Sequence, residues 1–210
     1  YPKHTIYSVS SGLTEAQASI KSSGKPVVIL EHADRMNDST YVLRELLELP
    51  GIKSAVPYFW DPDAAKTTLT KRVGSTIRLS IGGNSSKKAG EPISISAKII
   101  WSGEPSFPMG GVMGKGRPVS LGPTAIIQVN KVLIWLISAN ISAINLDPFE
   151  QFGFDHKDFD LVLLRSKTHF RAIWETESER IIIVDTPDWG PGLLDTLPYQ
   201  NARKGVFPIT

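Results

Sequence analysis

The stretch that most constrains the fold is Pro26-Val-Val-Ile-Leu30, with the largely polar decapeptide Glu31–Thr40 and then Tyr41–Leu49 behind it. The five-residue apolar run is rich in β-branched side chains and entered through Gly24, which predicts a buried strand. Val42, Leu43, Leu46 and Leu47 recur at helical spacing, with Asp38 or Ser39 expected as the N-cap. The decapeptide is therefore a strand-to-helix turn at the carboxyl end of a strand, where open α/β sheets place their sites. It gathers His32, three carboxylates and the hydroxyls of Ser39 and Thr40.

The same alternation of strand and helix recurs at both ends of the chain. A helix is expected to open at Leu13-Thr-Glu-Ala-Gln17, with Thr14 and Gln17 as a capping box and Gly24 as its stop. Ala55–Trp60 is a second strand, and Asp61-Pro62 starts a helix that Gly74 is expected to close. Toward the other end, Asp147-Pro148 is a capped helix start, Asp160–Leu164 a strand, His169–Glu177 a helix and Arg180–Val184 a strand. Such units imply parallel neighbours.

Between them the pattern changes. Thr76–Ile81 is a strand, and Ile93, Ile95, Ala97, Ile99 and Trp101 alternate on one face of another. Ser106–Leu121 is crowded with glycine and proline and is expected to be a loop. Ala125–Val129 and Val132–Ile137 flank Asn130-Lys131, a two-residue hairpin with both faces covered. The expected fold is a single α/β domain over residues 1–210: a mixed sheet with βα units at both ends and an antiparallel insertion in the middle.

The totals exclude several classes. A chain of 210 residues, 41% apolar and 21% charged, can bury a core of its own. A net charge of +2, with Lys71-Arg72 and Lys87-Lys88 isolated, gives no nucleic-acid footprint. Having no cysteine excludes disulfides, thiolate metal sites and a cysteine nucleophile. Ala125 to Leu146 is too often interrupted by polar residues to span a membrane, and no apolar signal core follows Tyr1-Pro-Lys-His4. A cytoplasmic location is expected.

Two turns carry the candidate chemistry. His32 and Asp34 lie on one side of an extended segment, as a metal would want, but further ligands could come only from carboxylates, His4, His156 and His169. With no H-E-x-x-H signature, no metal site and no catalytic residue is expected in this chain, and Asp38 and Ser39 are expected to cap a helix. Arg165-Ser-Lys-Thr-His-Phe-Arg171 joins a strand end, cations and a helix amino terminus, a seat for a carboxylate or phosphate. His169 is available as a base, without a serine triad. Met109–Gly116 fails as a phosphate loop, with methionine in place of the first glycine and Gly116 where Ser or Thr belongs, and is expected to be a mobile loop or lid.

Pro26-Val-Val, Ala33-Asp34, Asp38-Ser-Thr40, Leu43-Arg-Glu-Leu-Leu47, Trp60-Asp-Pro62, Leu121-Gly-Pro-Thr-Ala125, His169-Phe-Arg-Ala172, Asp185-Thr-Pro187 and Leu197-Pro-Tyr199 occur in this order. In these motifs, over residues 10–208, the chain resembles the C-terminal domain of the microcystinase C (MlrC) family of metallopeptidases. The chain departs from the family pattern at three loops: after Asp34, where a glycine run is missing, at Ser138-Ala-Asn140, and at Arg165-Ser166.

The resemblance implies zinc, held by an N-terminal domain outside this sequence, and a peptide substrate. It implies an accessory role in which His32, Asp34, Asp38, Ser39, Thr40, Arg165, His169 and Arg171 face the substrate cleft. The partner would be that metallopeptidase-like domain or, in a homo-oligomer, a second copy. The alternative is a stand-alone module binding a carboxylate or phosphate at Arg165–Arg171.

Overall fold

The computed structural model describes residues 5–21, 24–194, 197–201, 203 and 205, so His4 lies outside the described residues. The first half runs β1 (Ile6–Tyr7), α1 (Val9–Ser19), β2 (Val27–Glu31), α2 (Tyr41–Glu48), β3 (Ser54–Trp60), α3 (Pro62–Leu69), β4 (Thr76–Ile81) and β5 (Ile93–Gly103). The second runs β6 (Ser106–Pro108), β7 (Pro118–Ser120), β8 (Thr124–Val129), β9 (Val132–Ile137), α4 (Asp147–Glu150), β10 (Leu161–Leu164), α5 (Arg171–Glu177) and β11 (Arg180–Val184).

Nine of these strands form one mixed sheet in the order β1-β11-β2-β10-β3-β9-β8-β5-β4. From β1 to β9 every pairing is parallel, and from β9 to β4 every pairing is antiparallel. The α/β class, the βα units at both ends and the antiparallel middle are thus present.

The two crossovers that matter run in opposite directions. α2 carries the chain from β2 past β10 to β3, whereas α5 carries it from β10 back past β2 to β11. Because such crossovers are right-handed, opposite directions put the two helices on opposite faces. Val42, Leu43, Leu46 and Leu47 accordingly pack in one core with Val27, Ile29, Leu161 and Leu163. Phe170 and Trp174 pack in the other with Val28, Leu30, Val162 and Leu164. The loops leaving β2 and β10, adjacent strands, therefore part to opposite sides and leave a crevice at their carboxyl ends.

Several local expectations are met. Asp61 caps α3, accepting from the Ala64 N–H at 3.0 Å, with Pro62 at the first helical position. Asn130 takes φ +52° in the hairpin turn, and β9 is buried along its whole length.

Others are corrected. α1 begins at Val9 with Ser8 as its cap, and the Thr14 hydroxyl, expected to be the cap, bonds the Ser10 carbonyl inside the helix. α3 ends at Leu69, well before Gly74, whose N–H instead joins the Ile99 carbonyl at 2.8 Å. A bulge between Ile99 and Trp101 breaks the period of two, so Trp101 packs in the opposite core from Ile93, Ile95 and Ile99. The expected loop 106–121 contains the small β6–β7 sheet. Asp147 does not cap α4; its carboxylate accepts from the Gly110 N–H at 3.0 and 3.1 Å, which fastens the glycine-rich segment expected to be a lid.

The second core is aromatic. Phe149 is fully buried, with ring centroids 5.6, 5.7 and 6.0 Å from Trp135, Phe159 and Trp174. Phe149→Ala is expected to cost about 3–5 kcal/mol in urea unfolding, whereas Val112→Ala, at a residue 73% exposed, should stay within about 0.5 kcal/mol.

Candidate functional site at the carboxyl edge

β2 ends in Glu31, β10 is followed by Arg165, and β11 by Asp185-Thr-Pro-Asp188, so neighbouring parallel strands deliver polar residues to one rim. The first turn is built around Asp34, which is buried. Its Oδ1 accepts the N–H groups of Met36 (3.0 Å) and Asn37 (2.7 Å), and its Oδ2 that of Ser39 (3.0 Å). This carboxylate-centred turn holds Asn37 at φ +62°. Asp38 reaches the other way, accepting from Asn84 N (2.9 Å), Ser85 N (2.7 Å) and Ser85 Oγ (2.7 Å). Gly82 permits that approach: a Cβ there would lie 2.6 Å from the Phe59 ring and 2.9 Å from the Asp38 carbonyl.

Neither Asp38 nor Ser39 caps α2. Thr40 occupies the cap position without a side-chain bond, and its N–H and hydroxyl go to the Ala89 carbonyl. Asp38 is held by the 82–85 loop, and the Ser39 hydroxyl donates to Glu31 Oε1. Tertiary partners have claimed both oxygens.

The two turns meet through Arg165, which is 4% exposed. Its Nε stands 2.7 Å from Asp34 Oδ2 and 3.6 Å from Glu31 Oε2, its Nη2 donates to the Ser39 carbonyl at 3.3 Å, and the guanidinium lies 4.9 Å from the Phe59 ring centroid. Two buried carboxylates thus share one cation. Burial raises the Glu31 pKa to about 7, helped by the Asp34 charge and opposed by Arg165. Burial also raises Asp188 to about 6; the Trp189 N–H and Lys88 oppose this, and Asp34 and Asp38 add to it.

A second contact between the turns lies nearer the surface. Lys167 Nζ is 3.0 Å from His32 Nδ1 and donates to the Gly190 carbonyl. An ammonium has only donors, so Nδ1 faces Lys167 as an acceptor, and the Gly190 backbone also bonds the His32 ring. Burial and then the Lys167 charge hold the His32 pKa below its ordinary value; burial and then Arg35 lower that of Lys167.

The structure thus brings His32, Asp34, Asp38, Ser39, Thr40 and Arg165 together. His169 is exposed and borders a hollow with Met113, Asn145 and Ile173. Arg171 pairs with Glu175 at 2.8 Å on the outer side of α5, which starts only at Arg171. The cations of 165–171 consequently point to separate partners. Sequence reasoning passed over Glu31 as a site residue, and with it Lys167, Asp185 and Asp188. The usable signal was position, since all four stand at or just beyond the end of a parallel strand.

Among the described residues no three His, Asp or Glu side chains are grouped to hold a metal. The rim does not fit one, because a guanidinium fills the space between Glu31 and Asp34 and an ammonium adjoins His32. No described helix is long and apolar enough to cross a membrane.

Fold and rim define a doubly covered α/β sheet with its polar cluster at a carboxyl-edge crevice. The model of the family described as MlrC C-terminus matches residues 36–201, and the chain belongs to that family. No curated protein matches the chain. The fold is similar to that of a provisionally assigned metallopeptidase from Mesorhizobium sp. BNC1, with TM-score 0.80 and 23% identity over 98% of this chain. The chain spans 41% of that protein's length. Asn37 and Asn140 bond each other at 3.1 Å, so the turn after Asp34 touches the segment that follows β9.

Glu31 sets a pH signature. With its folded pKa above the unfolded 4.5, protonation stabilises the fold below pH 4.5, and that contribution is lost as pH rises through about 7. Glu31→Gln mimics the protonated group, so in urea unfolding it should gain on the parent chain between pH 5 and pH 8. A parent chain that instead gains on the variant as pH rises contradicts the assignment.

Proposed function

We propose that this chain is an accessory domain, spanning residues 1–210, that completes the substrate cleft of a zinc-dependent peptidase and is catalytically silent alone. Membership in the MlrC C-terminus family and a metallopeptidase-class neighbour more than twice as long support a peptidase-associated domain. The observation that carries the accessory role is the guanidinium between Glu31 and Asp34: the rim's best-placed carboxylates are already neutralised by a side chain.

On this reading zinc, its activated water and the general base belong to a metal-bearing domain that faces the crevice. His32, Asp34, Asp38, Ser39, Thr40 and Arg165 shape the wall of the cleft, and His169 and Arg171 lie further along the same edge. The buried residues among them act through backbone geometry: Asp34 and Asp38 hold six N–H and O–H donors between them and fix the turn against the opposing domain. Asp34 contributes three N–H groups to that number, and Asp38 two N–H groups with the Ser85 hydroxyl as a further donor.

The isolated chain, assayed on linear peptides with zinc, is expected to show no turnover. Adding the metal-bearing domain of a family member should produce turnover. Clear hydrolysis by this chain alone would contradict the reading.

A further inference from the structure

We propose that Arg35, Lys167 and His32 form a seat for a carboxylate, the free C-terminal carboxylate of a peptide lying in the crevice. This deepens the peptidase-associated reading and rests on it for the identity of the ligand. Arg35 leaves the end of β2, Lys167 the end of β10, and Gly190 belongs to the segment that follows β11, so three adjacent strands supply the parts.

Gly190 is what lets the two cations converge. A Cβ on that residue would lie 2.7 Å from Lys167 Nζ and 3.1 Å from Arg35 Cδ, so both stems pass over its bare Cα. The turn is anchored by the Gly190 N–H on the Ala33 carbonyl at 3.0 Å. Like charges placed side by side repel, and the repulsion is relieved when an anion joins them.

No described carboxylate answers them. Arg165 has Asp34 and Arg171 has Glu175, but among the described residues no acid lies within ion-pair distance of Arg35 or Lys167. Asp185 acts on His32 and Lys167 only from further off, its own oxygens accepting the N–H groups of Gly192 (2.8 Å) and Leu193 (3.2 Å).

The donors remaining suit a carboxylate. Lys167 spends two of its three protons on His32 and Gly190, leaving one. The His32 ring lies beside Lys167, and Arg35, which is exposed, offers its planar fork. Asp185 nearby favours a single negative charge over the near-double charge of phosphate at neutral pH.

The zinc-free full chain is titrated by calorimetry with an N-acetyl dipeptide acid, the matching amide and inorganic phosphate, while the His32 ring is followed by NMR. The acid should bind at least about tenfold tighter than the amide and shift the His32 resonances. Arg35→Met and Lys167→Met should each weaken the acid about tenfold, the loss of one charged hydrogen bond, and leave the amide unchanged.

Equal binding of acid and amide, variants without effect, or no saturable binding of the acid overturns the seat. Phosphate binding tighter than the acid overturns the carboxylate assignment. Since no turnover is measured, the outcome is separable from failure of the peptidase reading. Arg35→Met alters an exposed side chain, so folding does not confuse the result.

Discussion

The guanidinium of Arg165, shared by Glu31 and Asp34, is the interaction on which the carboxyl edge depends. A buried charge is tolerated only when paired, and removing one partner of such a pair costs far more than the pair returns. Here one cation serves two acids, so the site balances only if Glu31 holds its proton over much of the acid range. The pair also spans the crevice. Asp34 belongs to the loop that leaves β2 toward one face and Arg165 to the loop that leaves β10 toward the other, so their buried contact ties the two loops together at the floor of the edge.

Around that pair the acids of the strand ends behave as scaffold. Asp34 organises its own turn, Asp38 and Asp61 hold the 82–84 region, Asp147 fastens Gly110, and Asp185 fastens Gly192. Each spends its oxygens on backbone N–H groups, which fixes loops that would otherwise sample many shapes. Trp189 extends this bracing across the rim, with its indole N–H on Ser86 Oγ at 3.2 Å and Lys88 over its ring at 4.2 Å. The exposed cation on this rim is Arg35, and Lys167 beside it keeps one proton after bonding His32 and Gly190. The acids that brace backbone N–H groups keep the rim's shape, and the cations nearer the surface are the groups placed to meet a ligand.

Much of the fold was legible because its strongest elements are local. Val27–Glu31, Ser54–Trp60, Val132–Ile137 and Arg180–Val184 are apolar runs bounded by breakers, and Asp61-Pro62 and Asn130-Lys131 announce their own geometry. Strand order was not legible, because the insertion of β10 between β2 and β3 depends on contacts more than a hundred residues apart. The same limit explains Asp38 and Ser39: both have the chemistry of a helix cap, yet Ser85 and Glu31, invisible to local spacing, hold them instead. The turn 31–40 stood out through its density of polar side chains. The pairing of cations did not, since nothing in Arg165–Arg171 tells which one is buried against an acid and which faces water.

The most direct measurement of this account is a double-mutant cycle on Asp34→Asn and Arg165→Met, read by urea unfolding at pH 7. A shared buried cation predicts a coupling energy of about 2 kcal/mol or more, the two changes together costing much less than their sum. Costs that simply add would mean that the two loops are held independently and that Arg165 does not tie them together.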